Sequence, residues 1–173
     1  MHRIVIALAL SILTLASASA QTQFEVSADT DGSKLLKGII SRDILEKDTS
    51  FTKWYRENLK GYTADRNAIA GLKKNADSLE LLVFMGTWCE DSHFVIPKFF
   101  NLLDQTGFPR EKVTLIAVDR NKKTISHLAE ALNVQNVPTI IVMKKGKELG
   151  KVIEYGKSGL FDKDLGELLT AAH

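Results

Sequence analysis

Cysteine is nearly missing from this chain: residue 89 is the only one among 173. One thiol cannot close a disulfide within the chain, so a disulfide-stapled scaffold is excluded and the thiol is either reactive or buried and inert. An excess of charge of one sign is missing too. Lys and Arg number 23 against 21 Asp and Glu, a formal net of +2, which gives no reason to expect a nucleic-acid or anionic-membrane partner. No repeat period and no low-complexity segment is visible, which excludes solenoids and arrays. The longest uncharged apolar run, Ile4 to Leu15, is at roughly a dozen residues too short to cross a bilayer comfortably.

That run follows the basic start Met1-His2-Arg3 and precedes Ala18-Ser19-Ala20, a small-x-small cleavage site. The pattern is that of a secretory signal peptide over residues 1–20, with the mature chain expected to begin at Gln21 and to be exported to a periplasm or secreted, without membrane attachment after cleavage. What remains is long enough for one domain burying about 70% of its unfolded surface, and a monomer is expected.

What is present is concentrated in one stretch, Leu79-Glu80-Leu81-Leu82-Val83-Phe84-Met85-Gly86-Thr87-Trp88-Cys89-Glu90-Asp91-Ser92-His93. An apolar run of strand length stops at Gly86, and helical spacing begins after Cys89. The thiol therefore sits at a strand-to-helix turn. The first N–H groups of a helix lack intrahelical partners and favour an anion, and thiolate is the nucleophilic form of cysteine. Glu90 and Asp91 oppose that anion as like charges. Ser92 is placed either to donate a hydrogen bond to the thiolate or simply to occupy the first turn.

Along the chain, residues 21–34 read as a polar start with a short edge strand at Phe24–Val26. Helical spacing runs from Leu35 to Asn75, with the aromatic residues Phe51, Trp54, Tyr55 and Tyr62 read as core packing. A buried strand at Leu79–Met85 leads to a helix from Asp91 to about Gln105, kinked by Pro97 within it and with Gly107 just beyond its end. A second strand at Val113–Val118, a helix at Lys123–Leu132, a hairpin of Pro138–Met143 with Glu148–Tyr155 about the Lys144-Lys145-Gly146-Lys147 turn, and a helix at Leu160–Ala171 complete the order. The first two strands should be parallel, joined by a right-handed crossover. The loop charges Arg120-Asn121-Lys122-Lys123 read as solvated.

Trp88-Cys89-Glu90-Asp91-Ser92, Pro97 eight residues beyond the cysteine, and Val137-Pro138-Thr139 together resemble the thioredoxin superfamily. The resemblance covers roughly residues 78–172 and implies a thioredoxin-like α/β fold: a mixed central β-sheet flanked by helices, here over residues 78–173, preceded by a helical extension over 21–77. It further implies that the bond before Pro138 is cis and lies beside Cys89, with the backbone of Val137 pairing with bound peptide. The residues it assigns to catalysis are Cys89, Ser92, Trp88 and Pro138, with Val137, Thr139, Thr87, Glu90 and Asp91 as substrate contacts. No cofactor or metal is implied.

The departures from the family pattern define the chemistry. The second, resolving cysteine is replaced by Ser92, whose hydroxyl cannot release a mixed disulfide. The family's buried acid and its lysine on the next strand correspond to Val83 and Leu115. The chain thus resembles the monothiol, Cys-x-x-Ser thioredoxin-like proteins of bacterial envelopes. Attack of Cys89 on protein disulfides or on small oxidised thiols, with release by an external thiol, is the expected activity. Two alternatives stand beside it. One is a peptide-binding or chaperone-like module without thiol chemistry; the other is Cu(I) binding through Cys89 and His93, which share a helix face. His127 reads as a surface residue.

Overall fold

A computed structural model describes residues 23–171; the leader expected at 1–20 lies outside them. The elements are strands β1 (Phe24–Ala28) and β2 (Lys34–Ile40), helices α1 (Arg42–Lys47), α2 (Thr49–Glu57) and α3 (Arg66–Asn75), strand β3 (Leu79–Met85), helix α4 (Glu90–Thr106), strand β4 (Val113–Ala117), helix α5 (Leu128–Ala131), strands β5 (Thr139–Lys144) and β6 (Lys147–Ile153), and helix α6 (Phe161–Ala171). The six strands form one mixed sheet in the order β1-β2-β4-β3-β5-β6. β3 and β4 are parallel, as expected of strands joined through a helix, and the remaining pairs are antiparallel.

Both faces of the central strands are covered, which is why β3 is apolar along nearly its whole length. Leu79, Leu81, Val83 and Met85 enter the larger core with α1–α4 and α6, whereas Phe84 points to the opposite face beside Ile116, Ile141 and Ala129 of α5. The two-residue period of a strand makes that division. α4 ends where Gly107 takes the left-handed conformation at φ 67°, a backbone state that glycine adopts without a Cβ penalty. The turn between β5 and β6 uses Lys145 and Gly146 at φ 51° and 73°, the pair of positive values that a two-residue hairpin requires.

Two expectations are corrected. Helices occupy much of 42–75, but residues 35–40, where the helical pattern is expected to start, belong to strand β2 (Lys34–Ile40). Leu36 and Ile40 are four apart, a spacing that serves one face of a helix and one face of a strand equally well. Pairing decides it: β2 runs antiparallel along β4, with Gly38 opposite Ala117 and Ile40 opposite Leu115. Gly38 has φ 119°, and a Cβ there would collide with the backbone of Gln23 and Phe24, so the residue is matched to close passage of β1. The second correction is the helix at Lys123–Leu132. Only Leu128–Ala131 is α-helical; Ile125–His127 form a short 3-10 turn in which Ser126 and His127 adopt positive φ and break the helical period before Leu128. The side chain of Ile125 lies against Gly38 of β2, a tertiary contact that a continuous helical period does not anticipate.

Lys98, on α4 one residue after Pro97, is 8% exposed, and burial pushes its amine down to about 8. Substitution by methionine removes a charge that folding must desolvate. Lys98→Met is expected to stabilise the protein by about 1 kcal/mol at pH 7, a partial value because the ammonium also donates to Phe94 O and lies over its ring, contacts the variant loses. The native amine binds fewer protons than the unfolded one between about pH 8 and 10.5, so wild type gains stability across that window and the variant's advantage shrinks. Urea unfolding at pH 7 and pH 10.5 measures both effects.

Candidate functional site

Cys89 is the N-cap of α4 and is partly exposed. Its thiol donates to the carbonyl of Val137 at 3.2 Å, and the Val137–Pro138 bond is cis. The turn that brings the sulfur there is held by backbone groups: Cys89 N–H donates to Gly86 O at 3.1 Å and His93 N–H to Cys89 O at 2.9 Å. Gly86 is required by its neighbour, since a Cβ would stand 2.7 Å from the Trp88 ring. Pro138 is itself anchored, its carbonyl accepting from Glu154 N–H at 2.7 Å. Strand β3, the first turn of α4 and the entry to β5 thus converge on one sulfur.

The other residues singled out from the sequence surround this centre in different ways. Ser92 is fully buried, and its hydroxyl accepts from Gly86 N–H at 3.1 Å, so its hydrogen bond in this structure goes to the strand end and not to the thiol. Thr87 accepts from Leu36 N–H at 3.1 Å and donates to Lys34 O at 3.3 Å, tying the loop to β2. Thr139 is buried and donates to Asn136 O at 2.7 Å, bracing the loop before Pro138. Glu90 is exposed at the helix start. Trp88 donates from Nε1 to Val118 O at 2.9 Å, which fixes the indole against the end of β4.

Six further contacts surround the site. Tyr155, just after β6, donates from its hydroxyl to Asp91 at 2.7 Å; burial first, and then the bond to Asp91, push its phenol up to about 12, so it remains a donor throughout the physiological range. His93 stacks on Trp54 of α2 with ring centroids 4.2 Å apart, and its Nε2 lies 2.7 Å from Thr87 O. Because a carbonyl only accepts, that nitrogen carries the proton. Arg120 is 5.1 Å from the Trp88 ring and Lys122 5.6 Å. Arg120 also pairs with Asp29 at 2.7 Å, and this largely exposed charge run lies over the Trp88 ring. Only aromatic and charged composition hints at these contacts, since all but the His93–Thr87 contact join residues distant in sequence.

The β1–β2 hairpin and α2 thereby wall a groove of about 690 Å3 beside the thiol turn, with Trp54, Trp88, Glu90, His93 and Arg120 on its surface. His127 is exposed beside Glu130. Among the described residues no group of three or more His, Cys, Asp or Glu is gathered as for a metal ion, and no helix is long and apolar enough to cross a membrane.

Comparison with known proteins bears on this geometry. The sequence profile described as Thioredoxin matches residues 64–163. The chain is 32% identical over 98 residues to a thioredoxin of Chlamydia pneumoniae, covering 57% of this chain and 85% of that one. It is 31% identical over 101 residues to a TPR repeat-containing thioredoxin of Arabidopsis thaliana, where the match covers 58% of this chain and spans 25% of the relative's length. The crystal structure of Fasciola hepatica thioredoxin is 22% identical, with a TM-score of 0.41 over 59% of this chain and 88% of that one. The profile takes in the cysteine turn, the cis-proline loop and the β-hairpin together, and on that match this chain belongs to the thioredoxin family.

Proposed function

We propose that this protein is an exported monothiol that exchanges thiols and disulfides through Cys89. Family membership supports a thiol–disulfide redox role in general terms. The observation that carries the finer reading is a partly exposed sulfur, hydrogen-bonded to Val137 beside Pro138, in a chain with no second cysteine. In the forward step the Cys89 thiolate attacks one sulfur of a partner disulfide, forming a mixed disulfide and releasing the other sulfur as a thiolate. An external low-molecular-weight thiolate then attacks the mixed disulfide, restoring Cys89 and leaving the partner joined to the external thiol. Electron pairs balance in both steps, and no metal or cofactor enters. A partner segment lying along Val137 would exchange the thiol's hydrogen bond for its own backbone pairing.

The test is mixed-disulfide turnover with excess glutathione, wild type against Cys89→Ser. Wild type is expected to accumulate a protein–partner mixed disulfide that the external thiol clears, and Cys89→Ser to lose at least 100-fold in exchange rate, since a hydroxyl is not ionised near neutral pH. Equal rates in the two proteins would end the thiol reading and leave the peptide-binding module. Copper through Cys89 and His93 would have to use Nδ1, because Nε2 is held by Thr87.

A further inference from the structure

A second cavity, of about 620 Å3, opens between the end of α2, the middle of α4 and the start of α6. Its apolar surface comes from Phe94, Tyr155 and Leu160 and from Tyr62 stacked on Phe161 with centroids 6.2 Å apart. Phe94 and Leu160 are 42% and 58% exposed, large hydrophobic side chains left facing solvent at its rim. On the same wall sits Lys98. Its Nζ donates to Phe94 O at 3.0 Å and lies 3.1 Å from the Phe94 ring centroid. Among the described residues it makes no other hydrogen bond and no ion pair, although an ammonium has three protons to donate.

Of the three acids at this cavity, Glu57 is exposed, and Asp65 and Asp162 are committed elsewhere. Asp162 accepts from the Tyr62 hydroxyl at 2.8 Å, from Asp65 N–H at 2.9 Å and from Lys163 N–H at 3.0 Å. Asp65 caps α3, accepting from Asn67 and Ala68 N–H. Lys98 is thus a desolvated cation without a counter-ion, set among aromatic rings. Burying such a charge is unfavourable until an anion or another acceptor meets it, and a concave, mainly apolar site with a few placed polar groups is the usual form of a small-molecule pocket.

We propose that this cavity binds a small apolar carboxylate, with Lys98 as its counter-ion and the Phe94, Tyr155 and Leu160 surface covering its body. Lys60 and Lys163 also line the cavity but are exposed. Lys98 alone of the three lysines is buried against the aromatic wall, and its single charge matches a monoanion, whereas a phosphate, with more charge to satisfy, would also meet Asp162 and Glu57 of the same lining. The site adjoins the thiol without sharing it: Tyr155 lines the cavity and hydrogen-bonds Asp91, two residues beyond Cys89. The proposal is independent of the thiol reading, since its test has no exchange step.

The experiment is titration of the purified protein with 3-phenylpropionate, followed by amide chemical shifts, with 3-phenylpropanol as the neutral analogue. The expected result is saturable shifts centred on Phe94, Lys98, Tyr155 and Leu160, at least tenfold weaker binding of the alcohol, at least tenfold weaker binding of the acid by Lys98→Met, and unchanged binding by Cys89→Ser. Leu160→Asp, altered at the exposed rim, is a second variant and should weaken the acid by a similar factor. Equal binding of acid and alcohol, unsaturable shifts, shifts centred elsewhere, or acid binding that survives both Lys98→Met and Leu160→Asp would overturn it.

Discussion

Ser92→Cys is expected to turn the protein into a dithiol reductase, raising insulin reduction in the presence of dithiothreitol by about 100-fold or more over wild type. Residue 92 lies three positions beyond Cys89 in the first turn of α4, and Cα separations of about 5–6 Å at that spacing suit a disulfide. On the proposed mechanism, the wild-type mixed disulfide is cleared only by an external thiol supplied at millimolar concentration. A second sulfur on the same turn attacks intramolecularly, and well-placed groups act at effective concentrations orders of magnitude higher. Ser92 is fully buried and accepts from Gly86 N–H; sulfur accepts more weakly, so the variant should lose about 1 kcal/mol of stability. The rate measured beside a Cys89→Ser/Ser92→Cys control decides the matter. A Ser92→Cys protein that folds, shows a 89–92 disulfide by mass spectrometry and yet reduces insulin no faster than wild type would mean that the scaffold around Pro138 does not present a partner to Cys89.

The second large effect is on stability. Val83→Asp places a carboxyl where no water or partner reaches: Val83 is 0% exposed and its register neighbour on β4, Leu115, 3%. An unpaired acid in such a position costs about 3–5 kcal/mol, a large share of the 5–15 kcal/mol typical of a domain. Urea denaturation is expected to show a midpoint shift of that size with an unchanged slope. Because residues 83 and 115 are direct partners across the parallel pair, adding Leu115→Lys should recover at least about 1 kcal/mol of the loss in a double-mutant cycle. By the resemblance to the thioredoxin family, its acid and lysine would fall at these two positions, and here two aliphatic side chains fill the space. Strict additivity of the two substitutions would show that the positions do not couple.

Much of the architecture is readable from local pattern. β3 and α4 stand where apolar runs and helical spacing place them, because both faces of β3 are covered and α4 presents a continuous apolar face to the larger core. The hairpin follows from Lys145 and Gly146, and the cis bond before Pro138 was implied by the family resemblance. β2 and α5 were misread for one reason. Leu36 with Ile40, and Ile125 with Leu128, satisfy helical spacing, whereas their conformation is set by strand pairing with β4 and by packing of Ile125 against Gly38.

By itself the sequence determined that one sulfur, at the junction of a buried strand and an amphipathic helix, has no intramolecular partner, for this depends on a count and on spacing within a few residues. Only the tertiary structure decided what surrounds that sulfur. Tyr155 meets Asp91 across 64 positions, Arg120 meets Asp29 across 91, and Asp162 meets Tyr62 across 100. Such contacts have no local periodicity to betray them. They form because strand order and helix packing bring the ends of distant elements together, and the cavity around Lys98 exists only once they have done so.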